Sequence, residues 1–266
     1  MPRVQRIASV EEYVHWVEVA GDRFNQGESE TLWFRGHGDA RYRLIPSLYR
    51  SPEGVKENAD DELRTEFERR ALPMIADRPP RNEWEWYFVM QHYGAPTRLL
   101  DWTDSGLVAL YFALTSWKEA PDGEPRRRPA VWALNPWSLN RVHKEFGPVG
   151  VDWDVMKGYL SAAYSGIRFP RYPIALDPTL TAQRMLVQHS HFTVAGSDQR
   201  GLEEMAAELE LGDSLFQAVI DLDADGIEYM LQSLSWLGIT ETSIFPDLEG
   251  LARELRLQYH LDRKRA

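Results

Sequence analysis

Apolar residues fall at helical spacing in some stretches of the chain and at strand spacing in others. Over residues 9–25 (SVEEYVHWVEVAGDRFN), Tyr13, Trp16 and Val17 share one helical face. Ser9 stands as N-cap with Glu12 three positions on, the pair of a capping box. Residues 31–35 read as a short strand ended by Gly36-His37-Gly38-Asp39. Residues 41–50 read as extended, because Pro46 forbids a regular helix. Residues 60–77 form a charged amphipathic pattern broken by Pro79-Pro80, and 82–93 a buried helix capped by Asn82 and stopped by Gly94 and Pro96.

Residues 97–102 read as a short extended segment. Asp104 or Ser105 then caps a nearly all-apolar run, GLVALYFALTSW, which belongs in the core. A polar loop at 119–129 precedes an inner strand at 129–135. Further strands are expected within 183–194, at 216–222 and at 239–245. Helices are expected near 153–163, at 201–210, at 225–237 after Asp223 or Asp225, and at 248–257. Strands and helices mix without strict β-α-β alternation. The fold class expected is α+β, a single domain whose mixed or antiparallel core sheet is flanked by helices. Its strands are placed near 31–35, 130–135, 185–194, 216–222 and 240–245. Residues 1–28 are read as a helical lead-in and 29–258 as the domain, with 136–180 as an insertion.

Composition narrows the chemistry. The 266 residues include no cysteine, which removes disulfides, thiol nucleophiles and iron–sulfur sites. No apolar run approaches the roughly 18 residues that span a bilayer, and MPRVQRIASVEEY has no signal-peptide core, so no membrane role and a cytoplasmic location are expected. A net charge of −11 argues against general duplex-DNA binding. Ten tryptophans supply faces for a core or for stacking on rings. No nucleophile elbow, P-loop or dinucleotide-binding glycine fingerprint is present. Asp221-x-Asp223-x-Asp225-Gly226 imitates the start of a calcium loop, but its twelfth position is Gln232, so the acids are read as helix caps. His189 and His191 lack a third ligand nearby, and no metal is expected.

Several segments together resemble a known family. They are Phe34-Arg35-Gly36, Tyr42-x-Leu44-x-Pro46-Ser47, the run QHYGAPTRLLDWT from Gln91 to Thr103, and the apolar helix from Val108 to Ala113. They resemble the FRG domain family, named for that Phe-Arg-Gly tripeptide. Gln188, Phe192 and Thr193, and the segment from Ile244 to Leu248, fit the same resemblance. The chain is also distantly similar to ADP-ribosyltransferases of the arginine–serine–glutamate kind. The tripeptide matches their first element and Trp102-Thr103-Asp104-Ser105 their second. QRMLVQHSHFTV has the cadence of their third, with Gln183, Arg184 and Gln188 where a Glu-x-Glu pair belongs.

That similarity implies NAD as ligand. Arg35 would hold the pyrophosphate or nicotinamide ribose, with Gly36 leaving room for approach. Thr97 and Thr103 would line the nicotinamide pocket with Trp102 or Tyr93, while Gln188 or Glu241 would take the glutamate's part. From the residues themselves, Arg35 is either an anion clamp or a structural arginine paired to an acid such as Asp101. Asp101 either orients Arg35 or Arg98 or acts as a base. His92 is a proton carrier or a helix-end stabiliser. On the resemblance, Arg98 and Phe192 join the cofactor-binding residues. Two functions follow: a nucleotide-binding, ADP-ribosyltransferase-like enzyme, or a non-catalytic ligand- or partner-binding module in bacterial stress or phage defence. The protein or nucleic-acid target is left open.

Overall fold

The computed structural model describes residues 3–24, 31–56, 59–75, 79–160, 170–178 and 190–259. Eight strands among them are β1 (Arg3–Ile7), β2 (Trp33–His37), β3 (Leu99–Thr103), β4 (Ala130–Leu134), β5 (Val149–Gly150), β6 (Ile174–Asp177), β7 (Ser190–Val194) and β8 (Leu215–Ile220). They form one mixed sheet in the order β1-β8-β4-β2-β3-β7-β6-β5. The two outermost pairs, β1 with β8 and β5 with β6, run parallel, and every other pair is antiparallel. The fold is α+β with helices flanking the sheet, as the sequence pattern predicts.

Directly paired residues in a ladder share a face, so the register sorts the core. Phe34, Ala133 and Phe216 lie on one face. Helix α1 (Val10–Phe24) covers them with Tyr13, Trp16 and Ala20, and Trp16 meets Phe34 and Phe216 edge-on. Ser9 caps α1 by accepting from the Glu12 amide at 3.2 Å, and Glu12 reaches back to the Ala8 amide at 2.7 Å. On the same face, helix α3 (Glu83–His92) packs Trp84, Tyr87 and Phe88 over Leu99, Phe192 and Ile174. Helix α2 (Ala59–Ala71) lies beside it, placing Asp60 against Tyr87. Helix α4 (Gly106–Thr115) lies over β2, capped by Ser105. The opposite face carries Trp33, Leu100, Trp102, Trp132 and Leu134 under the short helix Leu202–Met205.

β4 is buried at all five positions, which a strand covered on both faces requires. β1 shows the reverse, with four of its five residues exposed and only Ile7 buried. β1 and α1 thus build directly into the sheet and its core. Among the described residues, no helix is long and apolar enough to cross a membrane.

Two differences from the sequence reading have physical causes. Residues 240–245 do not join the sheet; Glu241–Ile244 is a short helix. The β-branched run Ile239, Thr240, Thr242, Ile244 imitates a strand. Local hydrogen bonding wins: the Thr240 hydroxyl accepts from the Ser243 amide, and the Ser243 hydroxyl accepts from the Thr240 amide. The helix expected near 153–163 is confined to Asp154–Lys157 within the described residues. Within 136–180 the chain also supplies β5 and β6, which extend the sheet.

Candidate ligand cleft

β2 and β3 are paired only at Phe34 opposite Thr103. Beyond that point they diverge, and a cavity of about 320 Å³ opens over the gap, between α3 and α4. Phe34, Phe88, Phe112, Trp102 and Phe192 make its apolar walls. Arg35, Gln91, His92, Asp101, Thr103, Ser116 and Ser190 supply its polar groups. The size lies at the low end of ligand pockets, and the mix of aromatic walls with a few convergent polar groups is typical of them.

Arg35 bridges the split. Its Nη1 donates to the Asp101 backbone carbonyl at 2.6 Å, restoring a link that the diverging ladder lacks. The same nitrogen is 3.6 Å from the Asp101 carboxylate. Its Nε donates to His37 Nε2 at 3.1 Å. Nη2 makes no hydrogen bond among the described residues, and the side chain keeps 16% exposure on the cavity. Burial pulls the guanidinium's pKa down from its usual value, with the Asp101 charge opposing, and it remains a cation.

Two further residues set this geometry: His37, not singled out from the sequence, and Gln91, the first residue of the Gln91-to-Thr103 run. His37 accepts from Arg35, so its proton sits on Nδ1. Burial and then the Arg35 charge push its pKa down to about 3, which keeps it a neutral acceptor. Gln91 accepts at Oε1 from the Thr97 hydroxyl, which orients its amide to donate from Nε2 to the Asp101 carboxylate at 2.7 Å. Spacing carried both signals: His37 is two positions from Arg35 along a strand, and Phe88, Gln91 and His92 follow i, i+3, i+4 on a helix.

The sequence-derived site residues divide. Arg35, Gly36, His92, Asp101, Trp102, Thr103 and Phe192 all line the cavity. Trp102 is fixed by donation from its indole to Thr193 at 3.1 Å, and Phe192 stacks on Phe88 with centroids 5.2 Å apart. The Thr103 hydroxyl accepts from the Ser105 amide at 3.1 Å, starting the turn into α4. Thr97 is fully buried outside the lining and acts on it through Gln91. Tyr93 is exposed beside His92, its ring edge-on to the imidazole.

Arg98 points into the core. It pairs with Asp60 at 2.7 Å and donates to the carbonyls of Ala195 and Tyr159, so Asp101 is held by Arg35 and not by Arg98. Glu241 sits off the cavity, engaged by the Tyr111 hydroxyl and Arg253. Gly36 serves the helix more than a ligand: a Cβ there would meet the Ala109 carbonyl at 2.1 Å and the Ala113 amide nitrogen at 2.5 Å. Gln188 and His189 lie outside the described residues.

His191 projects from the opposite face of β7. It stacks on Trp33 at 4.6 Å, with Nδ1 2.7 Å from Asp177 and Nε2 3.7 Å from Asp104. Burial alone would lower its pKa, but the bonds and charges of Asp104 and Asp177 outweigh it and raise the pKa to about 9. A folded-state pKa above the unfolded value of about 6.5 gives stability that is fully present below pH ~6.5 and lost as pH rises through 9. The expected loss is up to about 3 kcal/mol. Urea unfolding at pH 6 and pH 10 checks it: His191→Gln should lose much less over that interval than the wild type, and equal losses would assign no role to the imidazolium.

An α+β sheet with a ligand-sized cleft at a strand split thus defines the molecule. Residues 30–122 match the family model of the FRG domain, and the chain carries that domain. The match spans β2 through α4 and contains every lining residue except Ser190 and Phe192. No curated protein and no solved structure matches the chain.

Proposed function

We propose that the cleft binds an anionic nucleotide of the NAD type and that the domain carries out ADP-ribosyl transfer. The observation that supports this most is the uncommitted donor edge of Arg35 beside an aromatic-walled cavity. A guanidinium with its Nε and Nη1 fixed by protein presents Nη2 without further ordering cost, suited to a phosphate oxygen. Phe88, Phe112 and Phe192 offer faces for a nicotinamide or adenine ring. The cavity holds one nucleoside-sized half of a dinucleotide, with the rest lying toward solvent.

In the transfer step the glycosidic C–N bond breaks with its electron pair leaving on nicotinamide. The ribose C1′ becomes oxocarbenium-like, an acceptor nucleophile bonds to C1′, and the acceptor releases a proton. Asp101 is the one carboxylate among the described lining residues, and its side chain is half exposed to the cavity. It takes the part of stabilising the developing positive charge, aimed by Gln91. His92, also on the lining, stands where the acceptor proton would be received.

A second reading keeps the cleft and drops the reaction. Asp101 is already engaged by Gln91 and Arg35, and Glu241 is engaged elsewhere, which suits a binding module whose acids are structural. Incubation with NAD labelled on its adenylate half, in a cell extract, separates the two. The enzyme reading expects labelled product and free nicotinamide from the wild type, reduced at least a hundredfold in Asp101→Asn while NAD affinity stays within a few-fold. NAD binding by the wild type with neither product would assign the module.

A further inference from the structure

On the face opposite α1, at the β1 edge of the sheet, a groove of about 200 Å³ gathers four arginines. It is lined by the apolar Val4, Val219 and Ala40, by Arg6 from β1, by Asp39 and Arg41 from the turn after β2, and by Arg126 and Arg128 from the loop before β4. The ladder places them. Arg6 is registered with Val219, and Val219 with Ala130, which is itself paired with His37. The loop residues 39–41 are tied over this row by donation from Gln217 to the Ala40 carbonyl.

The arginines outnumber their acids. Arg6 and Arg128 share the single carboxylate of Asp221, at 3.0 and 2.6 Å, and Arg41 is bidentate on Asp39. Arg126 is exposed and has no hydrogen bond or ion pair among the described residues. Four guanidinium groups against two carboxylates leave an excess of two positive charges, in a chain whose formal net charge is −11. A local reversal of sign on an acidic molecule focuses anions on that spot.

The donors are arginines, whose planar forks match phosphate oxygens, and the apolar part of the lining can accept a sugar. Tyr42, 53% exposed, follows Arg41, and its ring lies edge-on to His37 with centroids 6.3 Å apart, at the end of the row that runs through Ala130 to Val219. Charge along a narrow groove with an adjacent stacking ring is the pattern that single strands use. We propose that this groove binds the phosphodiester backbone of a single-stranded nucleic acid. The assignment stands on different residues from the cleft and does not depend on its ligand.

Fluorescence anisotropy with a labelled 12-nucleotide single strand tests it, at 50 and 200 mM salt. The wild type should bind at the lower salt and weaken at the higher. Arg126→Glu, which breaks no hydrogen bond or ion pair among the described residues, should lose at least fivefold, and Arg6→Glu/Arg126→Glu at least thirtyfold. Lys157→Glu, an equal charge change at an exposed side chain of the helix Asp154–Lys157 at the far end of the sheet, should bind as wild type. Thermal melts confirm that each variant is folded. No binding at 50 mM salt, equal loss in Arg126→Glu and Lys157→Glu, or a duplex bound more tightly than the single strand would overturn the proposal. Competition by inorganic phosphate at equal phosphate concentration would also overturn it, reducing the groove to a simple anion pocket.

Discussion

Gly36→Ala is expected to destabilise the fold by about 3 kcal/mol or more, although it adds one methyl group. The methyl would sit 2.1 Å from the Ala109 carbonyl oxygen, 2.5 Å from the Ala113 nitrogen and 3.1 Å from the Ala113 Cα. All three are backbone atoms, so no side chain can rotate away. β2 is bonded to β4 over its whole length, and α4 is buried along most of its surface, so neither partner shifts freely. Close-packed interiors relax little, and the strain stays in the folded state. The same substitution at Gly21 supplies the contrast. That glycine lies within α1 with nothing within 4 Å of a new Cβ, so Gly21→Ala should stabilise by about 0.5–1 kcal/mol. Urea unfolding of both variants checks the pair. A Gly36→Ala midpoint equal to wild type would contradict the packing of α4 on β2.

Much of the fold was legible because its signals are local. The caps at Ser9, Asn82, Ser105 and Asp223 each mark a helix start with a side chain that accepts an amide hydrogen bond. β4 announces itself as a continuous apolar run. β1 does not, because an edge strand with only Ile7 buried has no alternation to read, and its partner β8 lies some two hundred residues away. β5 and β6 are two and four residues long, too short to carry a period.

The cleft divides along the same line. Arg35 and Asp101 stand out as charges set in apolar strands, and both line it. Arg98 has the same appearance in sequence, yet its partner is Asp60, and spacing cannot say which arginine takes which acid. Gly36 reads equally as room for a ligand or for a helix, and only the path of α4 decides. The apolar run of α4 reads as core throughout, so nothing in it marked Phe112 and Ser116 as lining.

Arg35 carries the functional account, and replacing it is expected to have the largest effect on binding. Arg35→Lys keeps a positive charge but loses the fork that engages His37, Asp101 and the cavity together. The carbonyl of Asp101 would then lack its donor and Asp101 its clamp. Loss of one charge-assisted hydrogen bond of roughly 1.5–3 kcal/mol corresponds to about a ten- to hundredfold loss of affinity. Calorimetric titration of NAD into the wild type and into folded Arg35→Lys is the direct measurement. The wild type is expected to bind NAD at one site per chain, and the variant at least tenfold more weakly. A wild type that binds no NAD, or a variant that binds it equally well, would contradict it.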